Sequence, residues 1–141
     1  NQFLIKIKPS VMFLGKKDFQ QIYLIKKFIS GKFKTKIVQC KTIRNKNGLP
    51  YSSRNVLLNK KNFQTAVNVS QIIKKFYSTL KLNFKKTKDI YLIKNKIINK
   101  NVKLEYLEIR NKFNLSKKIN KKNFKIFIAY YINGIRLIDN Y

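Results

Sequence analysis

The sequence predicts an α/β chain in two parts. Residues 1–44 read as a βαβ unit. Residues 45–141 read as a small α+β domain with two helices and an antiparallel sheet. Three observations carry this. A short apolar run closed by a glycine leads into a helical pattern near residue 18. A helical stripe of apolar residues runs from 60 to 81. An Asn-Gly pair separates two β-rich runs near the end of the chain.

"VMFL" at 11–14, closed by Gly15, suits a buried strand. From Asp18 the spacing turns helical, with Phe19, Ile22, Tyr23 and Ile29 on one face, Asp18 placed as N-cap and Gly31 as stop. "KIVQC" at 36–40 reads as a second strand. Strand, helix, strand implies a parallel pair with its ligand site at the strand C-termini. A polar loop follows over 42–59. Phe63, Ala66, Val67, Ser70, Ile73, Tyr77 and Leu80 then mark the face of a helix over 60–81, and a second helix is expected near 87–99. Strands are expected at 102–109, 124–132 and 135–139, the last two joined by a hairpin turn at Asn133-Gly134.

Composition points two ways. The 33 Lys and Arg against 5 Asp and Glu give a formal charge of +28, which alone suggests a polyanion partner. Yet 29 of those cations are Lys and only 4 are Arg, while there are 20 Ile, 17 Asn and only 2 Ala. Lys, Asn, Ile, Phe and Tyr are the residues of A/T-rich codons, so a drifting base composition accounts for the charge. Nucleic-acid readers favour Arg for bidentate contacts, and these lysines are spread along the whole chain. A basic RNA-binding or ribosomal-type protein is the alternative reading; no specific nucleic acid is expected. Cys40 is the single cysteine and histidine is absent, which removes disulfides, cysteine zinc sites and the commonest general base. No metal-ligand cluster is expected from five carboxylates. The longest apolar run, at 126–132, is far short of a membrane span, and no signal peptide is visible; a cytoplasmic protein without a membrane partner is expected.

Two polar clusters stand out. In "GKKDFQQ", 15–21, Gly15 ends a strand and permits close approach to the backbone, the helix start favours an anion, Lys16 and Lys17 add charge, and Gln20 and Gln21 offer amides. In "GLPYSSRN", 48–55, two serine hydroxyls, Arg54 and several amides share one loop, a chemistry suited to a phosphate chain. On the residues alone, the plainer readings, a capped helix start with solvated lysines and an N-capping turn before the 60–81 helix, are favoured for these stretches.

The clusters taken together resemble the pantothenate synthetase (pantoate–β-alanine ligase) family. "KPSVMFLGKKDFQQIYLIKKFI" is similar to the family's apolar-F-G-E-K-D-[FY]-Q-Q segment, and "TIRNKNGLPYSSRNVLL" to its R-x-x-D-G-L-A-x-S-S-R-N. "LEYLEIR" and "FIAYYINGIRLIDN" look like its last strands, ending in R-L-[IL]-D-N. The resemblance implies the end of a Rossmann-like nucleotidyltransferase domain over 1–44, a C-terminal domain over 45–141, and a hinge and ATP loop at 45–55. It implies an AMP-forming ligase that uses ATP, pantoate and β-alanine, with Mg²⁺ on the phosphates and a homodimer at full length. ATP binding would fall on Gly15, Lys16, Lys17, Asp18, Ile43, Tyr51, Ser52, Ser53 and Arg54. Pantoate would fall on Gln21, and stabilisation of the reacting phosphate on Lys17, Ser52, Ser53 and Arg54. The departures are Lys16 where the family has Glu, Asn47 for Asp in its D-G pair, Tyr51 before the serines, and no H-x-G-H motif. The chain accordingly reads as a C-terminal half, inactive alone, with more sequence expected upstream.

Overall fold

The computed structural model describes residues 2–141 and resolves into two compact units, Asn1–Thr42 and Ile43–Tyr141. The first holds helix α1 (Gln2–Ile7), strand β1 (Val11–Gly15), helix α2 (Phe19–Ile29) and strand β2 (Lys36–Cys40). β1 and β2 pair in parallel, from Val11 opposite Lys36 to Gly15 opposite Cys40, so the predicted βαβ unit is present. α1 has no counterpart in the sequence reading. It stops at Lys8, which adopts φ 45°, directly before Pro9, a residue that disfavours helix ahead of it. α2 ends where predicted: Gly31 takes φ +73°, and the N–H groups of Lys32 and Phe33 both reach the Ile29 carbonyl at 3.0 Å.

β1 differs from its expectation. It alternates instead of being buried: Met12 and Leu14 are half-buried, while Phe13 is 69% exposed. The pleat sends neighbouring side chains to opposite faces, and within this unit only one face of the pair is sheltered.

In the second unit, helix α3 (Lys60–Leu82) starts on Asn59, whose Oδ1 accepts the Asn62 N–H at 2.8 Å. Its buried stripe is Ala66, Val67, Val69, Ser70, Ile73, Phe76 and Leu80. Val69 and Phe76 join the predicted face, whereas Phe63 and Tyr77 sit at its half-buried margin. After a 3₁₀ stretch, Phe84–Asp89, comes helix α4 (Ile90–Ile98). Strands β3 (Lys103–Asn111), β4 (Phe124–Ile132) and β5 (Ile135–Asn140) form an antiparallel sheet in the order β3-β4-β5. The β4–β5 turn uses φ 47° at Asn133 and 78° at Gly134, both positive as a two-residue type I′ hairpin requires. β4 is central, and Ile126, Ile128 and Tyr130 join Ile73, Leu80 and Ile97 in the core. The pairing of β3 slips between Leu104 and Tyr106, a bulge at Glu105.

Candidate active site

The first cluster lies at the C-terminal end of β1. Gly15 is extended, at φ −70° and ψ 128°, a conformation open to any residue; what its missing side chain leaves is space, since a Cβ there would meet no atom within 4 Å. A 3₁₀ turn, Lys16–Asp18, then leads into α2. Asp18 occupies the N-cap position, yet its side chain makes no capping bond, which corrects the expectation that it caps the helix. Lys17 is half-buried, and Lys16, Gln20 and Gln21 are exposed. Gly15, Lys16, Lys17, Asp18 and Gln21 thus gather at one strand end and the opening of one helix, where backbone N–H groups and the helix dipole favour an anion.

The second cluster is a narrow hairpin-like loop continued by a 3₁₀ turn. The Asn45 N–H reaches the Leu49 carbonyl at 2.9 Å, and the Tyr51 N–H reaches the Ile43 carbonyl at 3.1 Å. Asn45 Oδ1 accepts from the N–H groups of Asn47 and Leu49, at 3.0 Å each, and Gly48 closes the turn at φ +90°. This main-chain pairing sets Ile43 and Tyr51 opposite each other, 72% and 64% exposed. The octet then bends into the 3₁₀ turn Ser53–Leu57. Ser52 Oγ accepts the Arg54 N–H at 3.3 Å, and the Asn55 side-chain amide donates to the Pro50 carbonyl at 3.0 Å. Ser53 and Arg54 are exposed, and Arg54 Nη1 donates to the Arg136 carbonyl at 3.2 Å. Two loosely solvated apolar side chains, two hydroxyls and a guanidinium therefore share one ordered loop, which suits a planar base with a phosphate chain.

The residue that organises this loop is absent from the sequence-derived site set. Arg44 forms a bidentate pair with Asp139, at 2.7 and 2.8 Å, and also donates to the carbonyls of Gly48 at 2.9 Å and Asn140 at 3.1 Å and to the Tyr141 hydroxyl at 2.9 Å. Its guanidinium lies 4.2 Å from the Tyr141 ring centroid. Ser70 Oγ donates to the same Gly48 carbonyl at 2.9 Å and lies 2.8 Å from the Tyr141 hydroxyl. The Asp139 side chain is only 5% exposed. Burial opposes the charge on Arg44, but the Asp139 bond and charge outweigh it and raise its pKa. Burial, with Asp139's charge behind it, pushes the Tyr141 hydroxyl up to about 12. The signal for Arg44 and Asp139 was present: each sits inside one of the quoted motifs, at the R before N-G and the D of R-L-I-D-N.

Among the described residues no group of three His, Cys, Asp or Glu side chains could hold a metal ion. Asp139, Glu108 and Glu105 are each paired with an arginine. These described residues therefore build no all-protein cage for a metal ion.

The pantoate-beta-alanine ligase family model matches residues 1–141. The pantothenate synthetase of Francisella tularensis subsp. mediasiatica is 36% identical over 135 residues, covering 95% of this chain and 44% of the relative. That of Francisella philomiragia matches to the same extent. The crystal structure of pantoate-beta-alanine ligase from Francisella tularensis, complexed with beta-gamma ATP and beta-alanine, superposes with a TM-score of 0.76 at 33% identity, covering 99% of this chain and 46% of that one. Pantothenate synthetase from Thermus thermophilus shares the fold, at TM-score 0.81 and 20% identity, covering 99% of this chain and 52% of that one. The chain spans less than half the length of the curated relatives it matches. Four separated motifs, a family model matched from end to end and the fold of its structural neighbours all converge: the chain belongs to the pantoate-beta-alanine ligase family.

Proposed function

We propose that this chain carries the second half of an ATP-dependent ligase that condenses pantoate with β-alanine through a pantoyl-adenylate. The observation that carries the reading is the ordered 43–57 loop, which presents Ile43 and Tyr51 beside Ser52, Ser53 and Arg54. A relative solved with beta-gamma ATP and beta-alanine supports the choice of substrates.

In the first step a pantoate carboxylate oxygen attacks the α-phosphorus of ATP. The bond from that phosphorus to the bridging oxygen breaks, and pyrophosphate leaves. Negative charge grows on the phosphoryl oxygens, and Lys17, Ser52, Ser53 and Arg54 supply the donors that meet it. Among the described residues Arg54 Nε and Nη2 make no hydrogen bond, so that fork is open to a phosphate oxygen. Gly15, with open space above it, and Lys16 and Asp18 beside it line the nucleotide. Ile43 and Tyr51 flank the adenine, and Gln21 binds pantoate through its amide. In the second step the β-alanine amine attacks the acyl carbon and AMP leaves. Alignment of the reacting atoms supplies much of the acceleration. Domain roles follow the same division, 1–44 for nucleotide binding and 45–141 for the C-terminal domain, in a cytoplasmic enzyme that is a homodimer at full length.

The test is reconstitution with a polypeptide spanning the first half of the Francisella tularensis relative. Given ATP, pantoate and β-alanine, the assembly is expected to release pantothenate, AMP and pyrophosphate in equal amounts. The 141 residues alone, which contain no histidine, are expected to make no pantothenate. An assembly that associates yet forms no adenylate would overturn the reading.

A further inference from the structure

The geometry points to Arg44 as a positioning residue for the nucleotide loop: it fixes the 43–57 segment by tying the Gly48 carbonyl to Asp139 and Tyr141. The inference rests on the ligase reading above and adds a role for a residue outside the assigned site.

Arg44 sits at the base of the loop, opposite Pro50 in an isolated bridge. Nη1 reaches forward to Gly48, and both terminal nitrogens also reach back to the end of β5. The Gly48 carbonyl thereby receives two donors, Arg44 Nη1 and Ser70 Oγ, each at 2.9 Å. Ser70 belongs to α3 and is buried, so the loop tip is pinned at once to the helix and to the last strand. The Tyr141 hydroxyl closes the circuit by meeting both Arg44 and Ser70. The terminal nitrogens of Arg44, the Asp139 carboxylate and the Ser70 and Tyr141 hydroxyls are engaged with one another and with the Gly48, Asn140 and Ser70 carbonyls, which suits a holding role over contact with substrate. The loop they hold is the one that sets the spacing of Ile43, Tyr51 and the Ser52-Ser53-Arg54 run. A guanidinium is needed for this. Lysine offers one nitrogen and cannot span the carboxylate, two carbonyls and a hydroxyl from a single plane.

Hydrogen–deuterium exchange of the 141-residue chain assembled with the first half of the Francisella tularensis relative tests this, with and without ATP. In wild type, ATP is expected to slow exchange over 43–57. In Arg44→Lys, exchange over 43–57 without nucleotide is expected to rise about tenfold or more, on the scale of lost local protection, while β4 amides stay as in wild type. The ATP concentration that restores protection is expected to rise by a similar factor. Asp139→Asn keeps the shape, removes the charge and is expected to reproduce both changes, which covers the case that Arg44→Lys fails to fold. Ile73→Ala weakens the same unit from its core and is expected to move neither loop readout below its melting range. Unchanged loop exchange, or an unchanged ATP midpoint in a loosened loop, overturns the role assigned to Arg44. A wild-type assembly whose loop ATP never protects overturns the ligase reading, while the latch stands or falls on exchange without nucleotide. The nucleotide-free arm tells that failure apart from failure of the latch itself.

Discussion

The Arg54 guanidinium donates through Nη1 to the backbone carbonyl of Arg136, 82 residues further along the chain and 3.2 Å away. The contact is exposed, so the arginine is aimed by the sheet without being part of the core. Arg54→Ala in the reconstituted ligase is therefore expected to slow pyrophosphate release about 100- to 1000-fold, the usual effect of losing one preorganised donor. Unfolding free energy should move by no more than about 0.5 kcal/mol, as for a surface substitution. Denaturant melts run beside the assay decide it: a melt that falls with the activity would make the residue structural.

Alkali should destabilise the second unit. Burial, reinforced by the charge of Asp139, holds Tyr141 protonated up to about 12, and raises Tyr130 as well. A tyrosine in the unfolded chain titrates near 10, so above that pH the unfolded state binds fewer protons than the folded one. The contribution is complete below about pH 10 and is lost as pH climbs toward 12. Tyrosinate absorbance should show late-titrating groups that vanish with folding. In Tyr141→Phe one of them should be missing.

The first unit should self-associate. Phe3, Met12, Phe13, Leu24, Ile25 and Phe28 line an apolar groove of ≈ 540 Å³, and β1 and β2 form a sheet of two strands alone. Exposed apolar surface beside open strand edges draws in other chains. Light scattering at rising concentration should show growing mass. The double variant Phe13→Lys, Leu24→Lys should stay monomeric at concentrations where wild type does not, and wild type mixed with the remaining half of a relative should stop at a complex of fixed mass.

RNA should bind weakly and without sequence preference. The +28 charge is almost all lysine, and a diffuse cationic surface gains affinity mainly by releasing counterions. Binding measured at rising salt should collapse steeply, and scrambled RNAs should compete as well as any other. Tight, selective binding at physiological salt would favour the RNA-binding reading instead.

Local grammar was legible in the sequence. Gly31 and Asn133-Gly134 act through their own dihedral angles, and the α3 stripe through its own period, so each could be read without knowing the fold. What stayed hidden was non-local. Arg44 and Asp139 are 95 positions apart; each lay in plain view inside a different motif, but nothing in a single sequence says that the motifs touch. The octet likewise looked self-sufficient, although its glycine carbonyl is held from outside by Arg44 and Ser70. The exposure of Phe13 escaped for the opposite reason: a run of apolar residues predicts burial, but which partner buries it is not written in the run. Asp18 shows the limit of position-based rules, since it occupies the N-cap position without capping.

The register of the small parallel sheet has a practical corollary. Gly15 pairs with Cys40, so the chain's single thiol, which is exposed, sits across from the glycine at the mouth of the first polar cluster. An environment-sensitive fluorophore attached there needs no engineered cysteine and no removal of competing ones. It would turn occupancy near Lys16 and Lys17 into an optical signal, one label per molecule, at a position where the strand ends and the ligand is expected to begin.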